Sequence, residues 1–345
     1  LLVLNMFWVG SLLGLLLPAP AAAPVAAKGG FKVTRRFELG GEGGWDYLTF
    51  DPAGHRLFVT RGDRVMVVDP QTGKATGEIP KTDGVHGVAL VPDAGKGFTS
   101  NGKSNTVTPF DLKTLAPGAE IKVGEKPDAI IYDPASKHVL SMNGHSNNAS
   151  VIDPATSAVV ATIPLGGAPE FAVADGSGHV YVNLEDKNEV VAVDSKTNTV
   201  KAHWSIAPCD GPTGIAMDTE TRRVFSACGS KVLVVSDADA GKVVTTVPIG
   251  AGVDAASFDP AEKLIFSSNG DGTLTVIHED NPNTYTVVEN ATTERGARTQ
   301  ALDAANHTLY LATAKFGPPP SPDAEHPHPR GPMLPGSFVI LEVKR

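Results

Sequence analysis

From residue 32 onward the chain is a succession of short runs in which β-branched or aromatic residues alternate with polar ones, each run ended by Gly, Asn, Asp or Pro. Alternation with period two over such short runs predicts half-buried strands, and the density of turn residues leaves no room for long helices. The first-strand ends read "LTFDP", "ALVPD", "IIYDP", "AVADG", "IAMDT", "ASFDP" and "QALDA". With Pro52, Pro92, Pro134, Gly176, Thr219, Pro260 and Ala304 taken as equivalent, the spacing stays between 40 and 44 residues. A second marker falls at Asp69, Asp111, Asp153, Asp194, Asp237, His278 and Glu342. The third unit displays four strands: "DAIIYD", "HVLSMN", "ASVID" and "VVATIPL".

A period near 40 built from four short strands predicts an all-β, seven-bladed β-propeller of four-stranded antiparallel blades. The last unit stops after its third strand, "SFVILEVKR", while a spare strand, "KVTRRFELG" at 32–40, precedes the first unit. A ring of sheets must join its ends or leave an exposed edge, so the N-terminal strand is expected to complete the C-terminal blade. One domain spanning 31–345 follows. The stretch "GFTSNGKS" at 97–104 fits the phosphate-loop pattern, but "NTVTPFD" after it reads as a strand where a helix is required. Its Asn-Gly pair is a hairpin turn, repeated in "VLSMNGHSN" and "IFSSNGDGT".

The second strands "LFVTR", "GFTSN", "VLSMN", "VYVNL", "VFSAC", "IFSSN" and "LYLAT", with "VIDPATSAVVATIPLG" after the third, resemble the YVTN-repeat β-propellers, and the YncE-like exported bacterial proteins among them. The resemblance covers roughly residues 31–345 and implies the fold; the activities of that family are too diverse to imply one.

Composition refines the setting. Residues 1–27 carry no charge and run from an apolar block into small residues, resembling a secretory signal peptide that ends at Val25-Ala26-Ala27, with the recorded sequence expected to begin inside it. The mature form is then expected in the periplasm or secreted, without a membrane span and as a monomer. Cys209 and Cys228 are the only cysteines, and an even count in an exported chain predicts a disulfide. A formal charge of -9 and no Lys/Arg cluster argue against nucleic acid as a partner. The long last interval comes from a Pro-rich insertion at 315–336, expected to be a stiff flap over the channel, in which His326 and His328 offer a weak metal pair.

Propeller geometry places the residues entering strand one and leaving strand two on one face of the disc. Six residues before each marker stand Asp46, His86, Asp128, Glu170, Thr213, Asp254 and Arg298, a predominantly acidic ring around the channel mouth. Asn101, Asn143 and Asn269 end second strands on the same face. Clustered carboxylates repel one another, which favours a cation among them; the oxygen-rich set suggests Ca²⁺ or Mg²⁺, with Asp128, Asn143, Glu170 and Asp254 as candidate ligands. The function expected is a binding module, without catalysis, that takes a small ligand, a divalent cation or a protein at this mouth. The alternative is a metal-assisted hydrolase of the lactonase kind using the same four residues.

Overall fold

The structure, a computed structural model, describes residue 1, residues 30–321 and residues 331–345. The expected signal peptide beyond Leu1, and the part of the insertion that holds His326 and His328, lie outside the described residues. Seven sheets of four antiparallel strands form the fold. In six blades the chain runs outward in order, as in the third: Pro127–Asp133, His138–Asn143, Asn148–Asp153 and Ala158–Pro164. The first strands of successive blades neighbour one another around the axis. The seventh blade consists of Thr299–Asp303, Thr308–Thr313, Val339–Lys344 and, outermost, the N-terminal strand Lys32–Glu38. Lys32 lies opposite Lys344 and Glu38 opposite Val339, so the ring closes between the two ends of the domain.

Alternation decides the packing. Each blade turns one apolar face to each neighbour, and the buried side chains fall into clusters lying between successive blades: Phe58 with Val88, Leu140 with Val182, Phe225 with Ile265. The N-terminal strand serves two of these layers. Phe31 packs with Phe266 and Leu341 between blades six and seven, and Phe37 packs with Tyr310, Phe338 and Leu57 between blades seven and one.

The aspartates that mark the repeat are turn formers on the opposite side of the disc. Asp69, Asp111, Asp153, Asp194 and Asp237 each accept the backbone N–H two residues on. Asp51, Asp133, Asp218 and Asp259 do the same at the first turn. A side chain that mimics a turn's own hydrogen bond explains why this residue type recurs there.

Candidate functional site

The inner strands bring the acidic ring together at the channel mouth, and its members divide into two groups. On one side His86 Nδ1 lies 2.5 Å from Asp46 Oδ2 and 3.6 Å from Asp128 Oδ1. On the other, Arg298 Nε meets Asp254 Oδ2 at 3.2 Å. The orientation of His86 comes from its neighbour in the ring. A Cβ on Gly102 would stand 2.6 Å from His86 Nε2, so the Asn-Gly turn of blade two leaves just enough space for the imidazole, and Nδ1 faces the carboxylates.

Tyr47, which the repeat alignment did not single out, fills the centre. Its ring meets Phe171 at a centroid distance of 4.6 Å, and its hydroxyl donates to Glu170 Oε1 at 3.4 Å, reaching from the first blade to the fourth. Burial raises its phenol well above the ordinary range, and Glu170, Asp254, Asp46 and Asp128 all push the same way. A side chain that feels four carboxylates from four blades marks the point on which they converge. The sequence signal was the Tyr in "WDYLTF", at a position where the other blades carry Gly87, Ala129, Gly214, Ala255, Thr299 and the partner aromatic Phe171.

The electrostatics are those of crowded acids. Burial first, then Asp128, Asp254, Glu185 and Asp46, push Glu170 up to about 9. Asp128 rises to about 6, mainly by burial, with His86 pulling it down and Asp46 up. Burial lowers His86, but the hydrogen bond to Asp46 and the charges of Asp128 and Asp46 outweigh it, so the net direction is up. Asp128 is 7 % exposed, and its Oδ1 has no hydrogen-bond partner. A buried carboxylate oxygen without a donor is costly unless something charged or protonated faces it. Asp46, His86 and Asp128 each offer a ligand atom, and the three lie within 4.8 Å of one another.

Four predicted residues have other work. Asn101, Asn143 and Asn269 are fully buried and do not line the mouth. Asn101 Nδ2 donates to Thr106 and Thr108 while its Oδ1 accepts from Thr99. Asn143 and Asn269 repeat this with Asn148 and Ser150, and with Thr273 and Thr275. Their amides are consumed inside the blade, which removes Asn143 from the metal candidates. Thr213 directs its hydroxyl at the carbonyls of Ala227 and Val253, bridging blades five and six.

The asparagines occupy a slot that other blades fill with other residue types. A Cβ on Gly124 would come 2.8 Å from that of Asn143, and one on Gly250 would come 2.5 Å from Asn269 Nδ2, so the end of strand two packs under the chain arriving from the previous blade. Blade four fills the slot with Leu184 under Gly167. In blade five it is Cys228, bonded to Cys209 with a Cα–Cα separation of 5.5 Å. In blade one it is the buried Arg61, whose Nη2 donates to Gly40 and Glu42 carbonyls while its guanidinium lies 3.7 Å from the Phe338 ring centroid. Replacing both cysteines by serine is expected to lower unfolding free energy by about 3 kcal/mol, the loop-closure entropy of so short a loop. Urea denaturation of the double variant and the oxidised parent measures it; equal midpoints would show that the bridge adds no stability.

No family model matches the chain, and no curated protein matches it. Solved structures do. A chain of Kuenenia stuttgartiensis hydrazine synthase is similar at 18% identity and TM-score 0.50, over 68% of this chain and 95% of that one. U3-55K is similar at 10% identity and TM-score 0.72, over 90% of this chain and 98% of its own. At these identities the likeness shows the seven-bladed β-propeller fold alone. No helix among the described residues is long and apolar enough to cross a membrane.

Proposed function

We propose that this chain is an exported binding module of the YVTN-repeat kind, and that its channel mouth holds a divalent metal ion on Asp46, His86 and Asp128. The observation that carries the reading is the convergence of these three donors around a buried Asp128 oxygen that lacks a hydrogen-bond partner. Glu170 is a third carboxylate, coupled to the group through the repulsion from Asp128 and Asp46 that helps to raise it. A bound cation would relieve that repulsion and give Asp128 Oδ1 a closer partner than His86 Nδ1, which stands 3.6 Å away. With an imidazole in the set and the asparagine amides withdrawn, the donors suit Zn²⁺, Mn²⁺ or Fe²⁺ better than Ca²⁺. The cysteine pair accords with export, because disulfides persist in oxidising compartments.

The test is calorimetric titration of EDTA-stripped protein with ZnCl₂, MnCl₂ and CaCl₂ in separate runs. One equivalent of Zn²⁺ or Mn²⁺ is expected to bind at least tenfold tighter than Ca²⁺, and to raise the melting temperature by an amount corresponding to about 2.7 kcal/mol at a hundredfold excess over Kd. The variants H86A and D128N should lose this binding while staying folded. Tight binding that survives both substitutions, or no binding to the parent, removes the proposal.

A further inference from the structure

A second cavity lies on the mouth face beside the ring, and nothing in the reading above uses it. It encloses about 1140 Å³ between the stem of the insertion, the connection into blade seven and the residues entering blade one. Small-molecule sites typically span roughly 300–1,000 Å³, so this one is large enough for an organic ligand. Its wall is built from backbone pairing. Phe316 pairs with Met333, the Gly317 N–H donates to the Pro332 carbonyl at 2.8 Å, and the Leu334 N–H donates to the Lys315 carbonyl at 2.8 Å, which holds the two limbs of the stem together.

The lining has two characters. One is apolar and aromatic: Trp45 stacks obliquely on Phe338 and Phe316, at centroid distances of 5.3 and 6.0 Å. Phe316 and Leu334, at 39% and 42%, are among the few large apolar side chains this fold leaves exposed, and both face the same cavity. The other is cationic, in a chain whose formal charge is -9. Arg295, Arg298 and Lys315 line the cavity, while Glu294, the one acid among the described residues of the lining, is paired with Arg36. Arg298 is shared with Asp254; among the described residues no carboxylate pairs with Arg295 or Lys315. Thr293, also in the lining, is 9% exposed, and its buried hydroxyl has no hydrogen-bond partner.

We propose that this cavity binds a small organic anion with an aromatic body, the ring lying against Trp45 and Phe316 and the anionic group on Arg295 and Lys315. Stacking on aromatic faces supplies the apolar contact, and charge-assisted hydrogen bonds from the two unpaired cations supply orientation. The buried Thr293 hydroxyl is a further donor for a polar atom at the cavity floor. None of Asp46, His86 and Asp128 lines this cavity, so the assignment does not rest on the metal group.

The test uses 8-anilinonaphthalene-1-sulfonate as the aromatic anion and N-phenyl-1-naphthylamine as its uncharged counterpart, titrated by fluorescence into the EDTA-treated chain. The anion is expected to bind at one site and at least tenfold tighter than the amine. The R295Q/K315Q double variant should weaken the anion tenfold or more and leave the amine within twofold, and Trp45→Leu should weaken both. Arg295 and Lys315 are exposed, so an unchanged melting temperature verifies that the double variant is folded. An anion affinity that the double variant leaves unchanged, equal affinity for the two probes, or no binding of the anion each overturns the assignment.

Discussion

Deleting residues 30–40 is expected to abolish the folded monomer. The segment completes the seventh blade and supplies Phe31 and Phe37, which are 5% and 3% exposed, to the layers on both sides of that blade. Losing a buried Phe typically costs about 3–5 kcal/mol, and two such losses consume most of the roughly 5–15 kcal/mol by which domains are stable. Deletion also bares the whole edge of Val339–Lys344, whose apolar sequence would pair with other chains. Size-exclusion chromatography should show aggregates or an expanded chain. A synthetic peptide of residues 30–40 added during refolding should restore a compact monomer. A truncated chain that stays monomeric with the parental melting temperature would mean that the terminal pairing does not hold the ring together.

Glu170→Gln is expected to stabilise the metal-free protein strongly above neutral pH and to have little effect near pH 5. Glu170 has a folded value of about 9 against an ordinary value of 4.5. Between those limits the folded state binds more protons than the unfolded chain, so stability falls as pH rises through this window. Asp128, raised to about 6, adds to the fall at its lower end. His86 has the same sign: its contribution is complete below its unfolded value and is lost as pH rises through its raised folded value. From pH 5 to pH 8 the full Glu170 term would be about 4 kcal/mol, and the water that reaches a half-buried carboxyl cuts it to roughly 2 kcal/mol. Gln keeps an acceptor for the Tyr47 hydroxyl and removes the charge. Melting curves in EDTA at pH 5, 6, 7 and 8 should converge at the acid end and separate by about 5 °C or more at pH 8. Parallel curves for parent and variant would show that the carboxyl is ionised throughout.

The blades were legible because most repeats spend the same residue types on the same turns: Asp at the two turns away from the mouth, and, in three blades, Asn-Gly at the turn facing it. The acidic ring was legible for the same reason, since equivalent positions in a ring of equal sheets converge on the axis. Two things were not. The register of one residue decides whether the end of strand two faces the mouth or the blade interior, and Asn101, Asn143 and Asn269 take the interior, where neighbouring hydroxyls consume the amide. The reach of Tyr47 across the channel to Glu170 is a property of one long side chain in one blade, which a repeat, by averaging over units, conceals. The cavity beside the ring belongs to the insertion, the one segment that the repeat does not predict.

The slot at the end of strand two appears in amide, aliphatic, guanidinium and disulfide versions at equivalent points of one ring. Only one sector of the disc is therefore sensitive to redox conditions. Under reduction the asparagine, Leu184 and Arg61 fastenings are untouched, and the expected result is a closed wheel with a single slackened spoke.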